Sequence, residues 1–154
     1  MKHKRTYIYE YPRPAVTVDA VVFRKVNKDW EVLLIKRMNT PFEGYWALPG
    51  GFIDEHETLE QAVERELFEE TSLKGVKLQQ LKAFSNPNRD PRGRTIGVAF
   101  VGILKDLDVK VCANDDAKEV QWFSLDNLPE LAFDHSEIID CAMEWLERQI
   151  QDKS

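Results

Sequence analysis

Glu66, Glu69 and Glu70 crowd one short stretch beside Arg65, with Glu57 and Gly51 a little upstream. On a helix turning by about 100° per residue, Leu59, Val63 and Leu67 form an apolar stripe with Ala62 at its edge. Glu66 and Glu70 fall inside that stripe and Glu69 lies on its flank. Carboxylates are out of place there. Burying an ionised carboxylate costs on the order of several kcal/mol unless it is paired or holds a metal, and crowding raises the pKa values further. A divalent cation relieves both penalties. The bland alternative is a solvated face with Arg65 and Glu69 as an i,i+4 pair worth roughly 0.2–0.5 kcal/mol, but it leaves the inward position of the glutamates unexplained. Hard oxygen donors suit Mg²⁺ or Mn²⁺, which keep waters and bridge to phosphates, whereas zinc would call for His or Cys. The chemistry implied is attack on a phosphate ester or anhydride.

The elements that must carry these residues can be read on either side. Thr58 followed by Gln61 is a capping-box pattern, and Thr58 to about Leu73 contains no Gly or Pro, so a helix is predicted there. Pro49-Gly50-Gly51 just before it marks a turn or a close backbone approach. Ala15–Phe23 and Trp30–Ile35 read as a strand pair joined at Asn27, Lys28 and Asp29; Trp46–Leu48, Val76–Phe84, Thr95–Leu104 and Glu119–Ser124 read as further strands. Ile138, Ile139, Ala142, Trp145, Leu146 and Ile150 recur at helical spacing, and Asp134 or Ser136 is available to cap that last helix. Strands interleaved with two helices predict an α/β layered domain.

The 154 residues suit one domain, with about 1–12 as a flexible N-terminal segment, and 43% hydrophobic with 31% charged residues excludes disordered and fibrous classes. A net charge of −6 argues against a general nucleic-acid binder, so a polyanionic ligand must be met locally. Cys112 and Cys141 are too few for a disulfide framework, which favours a cytoplasmic setting, and the sequence has neither a secretory apolar region nor a run long enough to cross a membrane.

From Gly51 through Glu57 to Arg65-Glu66-Leu67-Phe68-Glu69-Glu70-Thr71-Ser72-Leu73, the chain resembles the Nudix box, G-x5-E-x7-R-E-U-x-E-E-x-G-U, where U is a bulky aliphatic residue. Five charged positions and the leading glycine match. The resemblance implies the Nudix α/β/α sandwich with a mixed β-sheet and hydrolysis of a nucleoside diphosphate linked to another moiety. It implies Glu66 and Glu70 as metal ligands, Glu69 as ligand or base, the Gly51 carbonyl completing the site, and Arg65 orienting the glutamates. Glu57 is either a partner behind the ligands or a favourable first-turn charge. Ser72 departs from the usual glycine, and Gly75 is the residue available to take over the turn.

Nudix enzymes draw the general base from differing places, several from an acidic loop residue well after the box. Asp115 and Asp116 fit that description, with Asp116 preferred for lying nearer the following strand; the alternative is that Asn114-Asp115-Asp116 is simply a turn. Arg89, Arg92 and Arg94, in the loop NPNRDPRGR, are expected to grip phosphates, with plain exposure as the competing reading. RDPRGR and LAFDH (Leu131–His135) resemble Nudix proteins of the ADP-ribose pyrophosphatase type and the Nudix portions of related regulators of NAD metabolism. Cleavage of ADP-ribose to AMP and ribose 5-phosphate is therefore the expected activity. An ADP-ribose-sensing module and a nucleoside triphosphate pyrophosphohydrolase are the alternatives. Only Gln151–Ser154 follow Ile150, which counts against a sensor with an appended winged helix. Phe42, Tyr45 and Trp46 are aromatics that could stack on a base, although Trp46 suits the core better. Neither His56 nor His135 has a supporting constellation for catalysis; His135 reads as a helix-start or ligand-edge residue. The expected partner is a small nucleotide, with no nucleic acid or membrane; the resemblance also allows a homodimer.

Overall fold

The computed structural model describes residues 5–114 and 117–153. Its strands are β1 (Ala15–Val26), β2 (Asp29–Arg37), β3 (Trp46–Ala47), β4 (Gly50–Phe52), β5 (Gln79–Phe84), β6 (Thr95–Ile103) and β7 (Ala117–Ser124), and its helices are α1 (Leu59–Thr71) and α2 (His135–Asp152). The predicted strand pair forms and runs longer at both inner ends: β1 and β2 meet at Val26 and Asp29 across Asn27, which takes φ 59.

The strand order is β3-β2-β1-β6-β5, with β4 also on β1 and β7 also on β2. β1 and β6 run parallel while the other strand pairings are antiparallel, giving the expected mixed sheet. Side chains alternate across β1, and the two faces serve different helices. Val18, Ala20 and Val22 pack with Ala62, Val63 and Leu67 of α1. Val21 and Phe23 pack with Ile138, Ile139, Ala142 and Leu146 of α2. Each large aliphatic or aromatic side chain fully buried this way stabilises the layers by roughly 1.5–3 kcal/mol. Thr17 and Asp19 share the α2 parity and interrupt it with buried polar groups.

Residues 5–12 are exposed and precede the sheet, with a bend at Glu10 and Tyr11; Arg13 lies over Tyr9 at 3.9 Å. The β5 strand begins later than its apolar run because Val76 and Leu78 pack against the α1-side core without entering the ladder. Gly50-Gly51, expected as a turn or close approach, is the close approach: a Cβ on Gly50 would lie 2.1 Å from the Val18 carbonyl oxygen.

α1 starts as predicted. The Thr58 hydroxyl accepts from the Gln61 amide at 3.1 Å, and the Gln61 side chain accepts from the Thr58 amide at 2.9 Å. Its end corrects the expectation that Gly75 would relieve Ser72. Ser72 itself adopts the left-handed conformation, φ 64, and Gly75 follows with φ 79. The roughly 1–2 kcal/mol cost of that conformation is opposed by local bonds. The Ser72 amide donates to the Phe68 carbonyl at 2.8 Å, its hydroxyl donates to the Cys112 carbonyl at 3.4 Å, and the Asn114 side-chain amide donates to that hydroxyl. Glycine would remove the strain and keep the backbone bond but lose the two hydroxyl bonds, and it adds roughly 0.5–1 kcal/mol of unfolded-state entropy. Ser72→Gly is expected to change stability in urea by less than about 1 kcal/mol; a gain above about 2 kcal/mol would show that the serine bonds contribute nothing.

α2 also departs in detail. Asp134 occupies its N-cap position but makes no side-chain cap bond, and Ser136 lies inside the helix. The Asp134 carboxylate is engaged by Arg89 instead.

Candidate functional site

The glutamates of α1 pack directly against the β4 backbone, and both border a cavity of about 740 Å³, within the size range of small-molecule sites. Its lining includes Glu66, Glu69, Glu70, Gly50, Gly51 and Phe52 together with Arg37, Arg89, Asp90, Arg92, Phe133 and His135. Carboxylates and arginines thus share one cavity.

Arg65 gathers the carboxylates. Its Nε donates to Glu57 at 2.9 Å, and its Nη1 donates to Glu66 at 2.9 Å and Glu69 at 3.1 Å. Glu57, just ahead of the Thr58 cap, also accepts from the Asp54 amide at 2.7 Å. Glu57 thus bonds the same guanidinium that bonds Glu66 and Glu69. Glu57 hydrogen bonding raises the Arg65 pKa, so the arginine stays charged in this acidic setting.

Glu70 is the most deeply set of the three and accepts from the Gly50 amide at 2.8 Å. Burial pushes its pKa up to about 8, although the Gly50 bond pulls the other way. Burial also raises Glu66, against the opposing pull of Arg65. A Cβ on Gly51 would lie 2.6 Å from Glu66 Oε1, so the missing side chain is what lets strand and carboxylate close together.

Among the described residues, no group of three or more His, Cys, Asp or Glu stands in a ready metal-binding arrangement. Arg65 holds Glu66 and Glu69, and the Gly50 amide holds Glu70. The donor chemistry nevertheless fits a hard divalent cation: carboxylates, one desolvated enough to retain a proton, lie beside the half-buried β4 backbone at Gly50 and Gly51. Positive charge here would offset the burial cost of Glu70.

The arginine loop is only partly as expected. Arg92 lines the cavity, pairs with Asp90 at 2.9 Å, and lies over Phe52 at 4.8 Å and Phe133 at 5.2 Å. Burial pushes Asp90 up, but bonding to Arg92 outweighs it and holds this carboxyl below its ordinary value. Arg89 also lines the cavity, yet its side chain is 4% exposed and binds Asp134 through two bonds of 2.9 and 2.8 Å. Arg94 is outside the cavity lining; it is exposed and donates to the Ser85 carbonyl at 2.8 Å. Trp46 is outside it too, packed edge-on to Phe123 at 4.7 Å in the α2-side core. Asp116, with Asp115, lies outside the described residues.

Several lining residues escaped the sequence reading. Asp19 is the one with a sequence signal, a lone carboxylate inside the apolar run AVTVDAVVF. His135 is buried beside it, with Nε2 3.5 Å from Asp19 Oδ1. Burial lowers the His135 pKa and raises that of Asp19, so the imidazole is neutral. Phe133, at φ 52, packs with Arg37 at 5.0 Å and with Arg92, and tilts against Phe42 at 4.8 Å. No spacing rule predicts that stack. His56 is exposed beside Glu55.

Comparison with known proteins agrees with this geometry. The chain is 47% identical over 145 residues to an ADP-ribose pyrophosphatase of Methanocaldococcus jannaschii, covering 94% of this chain and 80% of that protein. The Nudix domain of Shewanella oneidensis NrtR, solved with ADP ribose, superposes with a TM-score of 0.83 at 37% identity, covering 88% of this chain and 90% of that one. A bifunctional NMN adenylyltransferase/ADP ribose pyrophosphatase of Francisella tularensis, solved with AMP and a manganese ion, superposes at 0.75 with 36% identity over 88% of this chain and 43% of that one. Nudix ADP-ribose pyrophosphatases depend on a divalent metal. The NUDIX domain model matches residues 13–146, and with the α/β/α layering and the glutamate helix it establishes that this chain belongs to the Nudix family.

Proposed function

We propose that the protein hydrolyses the pyrophosphate bond of ADP-ribose, giving AMP and ribose 5-phosphate, with Mg²⁺ or Mn²⁺ as cofactor. The observation that supports this reading is that Glu66, Glu69 and Glu70 line the same cavity as Arg92. A diphosphate in that cavity meets both cationic charge and metal-ligating oxygens. Similarity to the archaeal ADP-ribose pyrophosphatase selects ADP-ribose among diphosphate substrates.

Glu66, Glu70, Glu69 and the Gly51 carbonyl are the residues assigned to hold the cation, and Arg65 keeps the carboxylates in register. When bound, a divalent cation neutralises diphosphate charge and lowers the pKa of water at the site. Water adds to one phosphorus, the bridging P–O bond breaks, and the water proton passes to a carboxylate, for which Glu69 and Asp116 are the assigned bases. Glu69 suits that role because its side chain is 42% exposed, open to incoming water. Arg92, held over Phe52 and Phe133, contacts the substrate phosphates. Arg89 acts from behind, through Asp134. A cytoplasmic setting is part of this reading, supported by two free cysteines, Cys112 and Cys141.

A sensing module that binds ADP-ribose without turning it over is the second reading, favoured by the likeness to the NrtR domain. Incubating the purified protein and Mg²⁺ with ADP-ribose, NADH, dinucleoside polyphosphates and nucleoside triphosphates separates the two. Catalytic release of AMP from ADP-ribose with the highest kcat/KM is expected. Tight ADP-ribose binding without AMP release would establish the sensor, and preference for a triphosphate would overturn the substrate.

A further inference from the structure

We propose that His135 is a positioning residue for the cation site, setting the β3–β4 backbone against the glutamate helix through its Nδ1, with its tautomer held by Asp19. The inference rests on the proposed metal-dependent reading of the cavity, but it concerns residues outside the glutamate helix to which that reading assigns no role.

The 130–135 segment runs beside β3 like an extra strand. The Trp46 amide donates to the Glu130 carbonyl at 3.2 Å, and the Ala132 amide donates to the Trp46 carbonyl at 2.8 Å. The chain then turns into α2, and the backbone can no longer supply the next rung. His135 supplies it with a side chain: Nδ1 accepts from the buried Leu48 amide at 3.0 Å. Immediately beyond, the Pro49 carbonyl accepts from the Ala20 amide at 2.8 Å, the Gly50 amide donates to Glu70, and Gly51 abuts Glu66. The peptide groups of Trp46, Leu48, Pro49 and Gly50 are thereby each bonded, and the imidazole is the tie at the point where the ladder ends.

Only one tautomer can do this. Nδ1 must be unprotonated to accept, which places the ring proton on Nε2, facing Asp19 Oδ1 at 3.5 Å. Asp19 is 6% exposed and lies on β1 directly opposite Gly50 in the ladder, so the carboxylate that orients the ring sits on the strand that holds the ribbon. The arrangement resembles the outer partners of metal sites, whose loss typically costs about 10- to 100-fold in metal affinity or activity. Here it acts through the backbone of Leu48–Gly51 rather than through a ligand side chain.

Two amides that replace different ring nitrogens test this. The Oδ1 of asparagine falls near the Nδ1 position and can accept from Leu48; the Oε1 of glutamine falls near Nε2 and leaves the Leu48 amide unpaired. His135→Asn is expected to keep Mn²⁺ affinity, read by electron paramagnetic resonance, and ADP-ribose kcat within about threefold of wild type. His135→Gln and His135→Phe are expected to weaken Mn²⁺ binding and lower kcat by about 10- to 100-fold, with KM nearly unchanged. The Leu48 and Gly50 amide resonances should shift in those two variants and not in the asparagine variant. Equal losses in the asparagine and glutamine variants, or a folded glutamine variant with wild-type Mn²⁺ affinity, would overturn the proposal. The asparagine–glutamine contrast still decides it if the phenylalanine variant does not fold. If even the wild-type protein releases no AMP, the activity reading fails, while Mn²⁺ affinity and the amide shifts continue to judge the role of His135.

Discussion

Glu70→Gln should lower metal-dependent AMP release by about a thousandfold, equivalent to roughly 4 kcal/mol of transition-state stabilisation, while the fold persists. The amide fills the same volume and can still accept from the Gly50 amide, so nothing in the packing is lost. What disappears is the negative charge that a cation would meet. The same substitution changes pH dependence in a defined direction. In the cation-free protein, burial pushes the Glu70 carboxyl from its ordinary 4.5 up to about 8. Between those values the folded state retains a proton that the unfolded chain has released. The stabilisation from that proton is full below about pH 4.5 and is lost as pH rises through about 8. Urea unfolding without metal should therefore show wild-type stability falling from pH 5 to pH 9 by about 4 kcal/mol more than the glutamine variant. Cation binding must displace the same proton, so apparent Mg²⁺ affinity should climb up to about pH 8 in the wild type. A glutamine variant with near-normal turnover would remove Glu70 from the cation site, and parallel pH profiles would refute its buried proton.

Gly51→Ala is the second large effect expected. A Cβ there would lie 2.6, 2.8 and 2.9 Å from the three carboxyl atoms of Glu66. The end of a flexible side chain yields before a strand does, so β4 stays on β1 and the carboxylate swings away, abandoning its 2.9 Å bond to Arg65. Turnover should fall by about 100-fold, the scale of a misplacement near 1 Å, with the melting temperature only a few degrees lower. Gly50→Ala is the contrast. Its Cβ would meet the Val18 backbone carbonyl at 2.1 Å, which cannot move without opening the ladder, so this variant is expected to lose the fold. Circular dichroism melts beside ADP-ribose kinetics separate the two. Wild-type activity in Gly51→Ala would show that Glu66 does not need its observed position.

α1 illustrates what can be read without coordinates. Its capping box, its apolar stripe and the inward glutamates depend on spacings of three and four residues, and these are properties of any helix. The arginine loop illustrates the opposite. Arg89, Arg92 and Arg94 look alike in sequence, yet one is buried on Asp134, one stacks over Phe52 and Phe133 at the cavity, and one bonds the Ser85 carbonyl outside it. Long cationic side chains take whichever partner folding brings within reach, and only the packed layers determine which.

Thus the order of residues alone determined a capped, glutamate-bearing helix following a glycine pair, because the interactions that define it are local. Tertiary structure decided that the pair is a close approach within β4, that Asp19, Leu48 and His135 meet beside it, and that Phe133 packs with both Arg37 and Arg92. Those groups come from separate strands and the approach to α2. Their meeting depends on sheet register and on the angle at which α2 leaves the β3 edge, neither of which has a short-range signature in the chain.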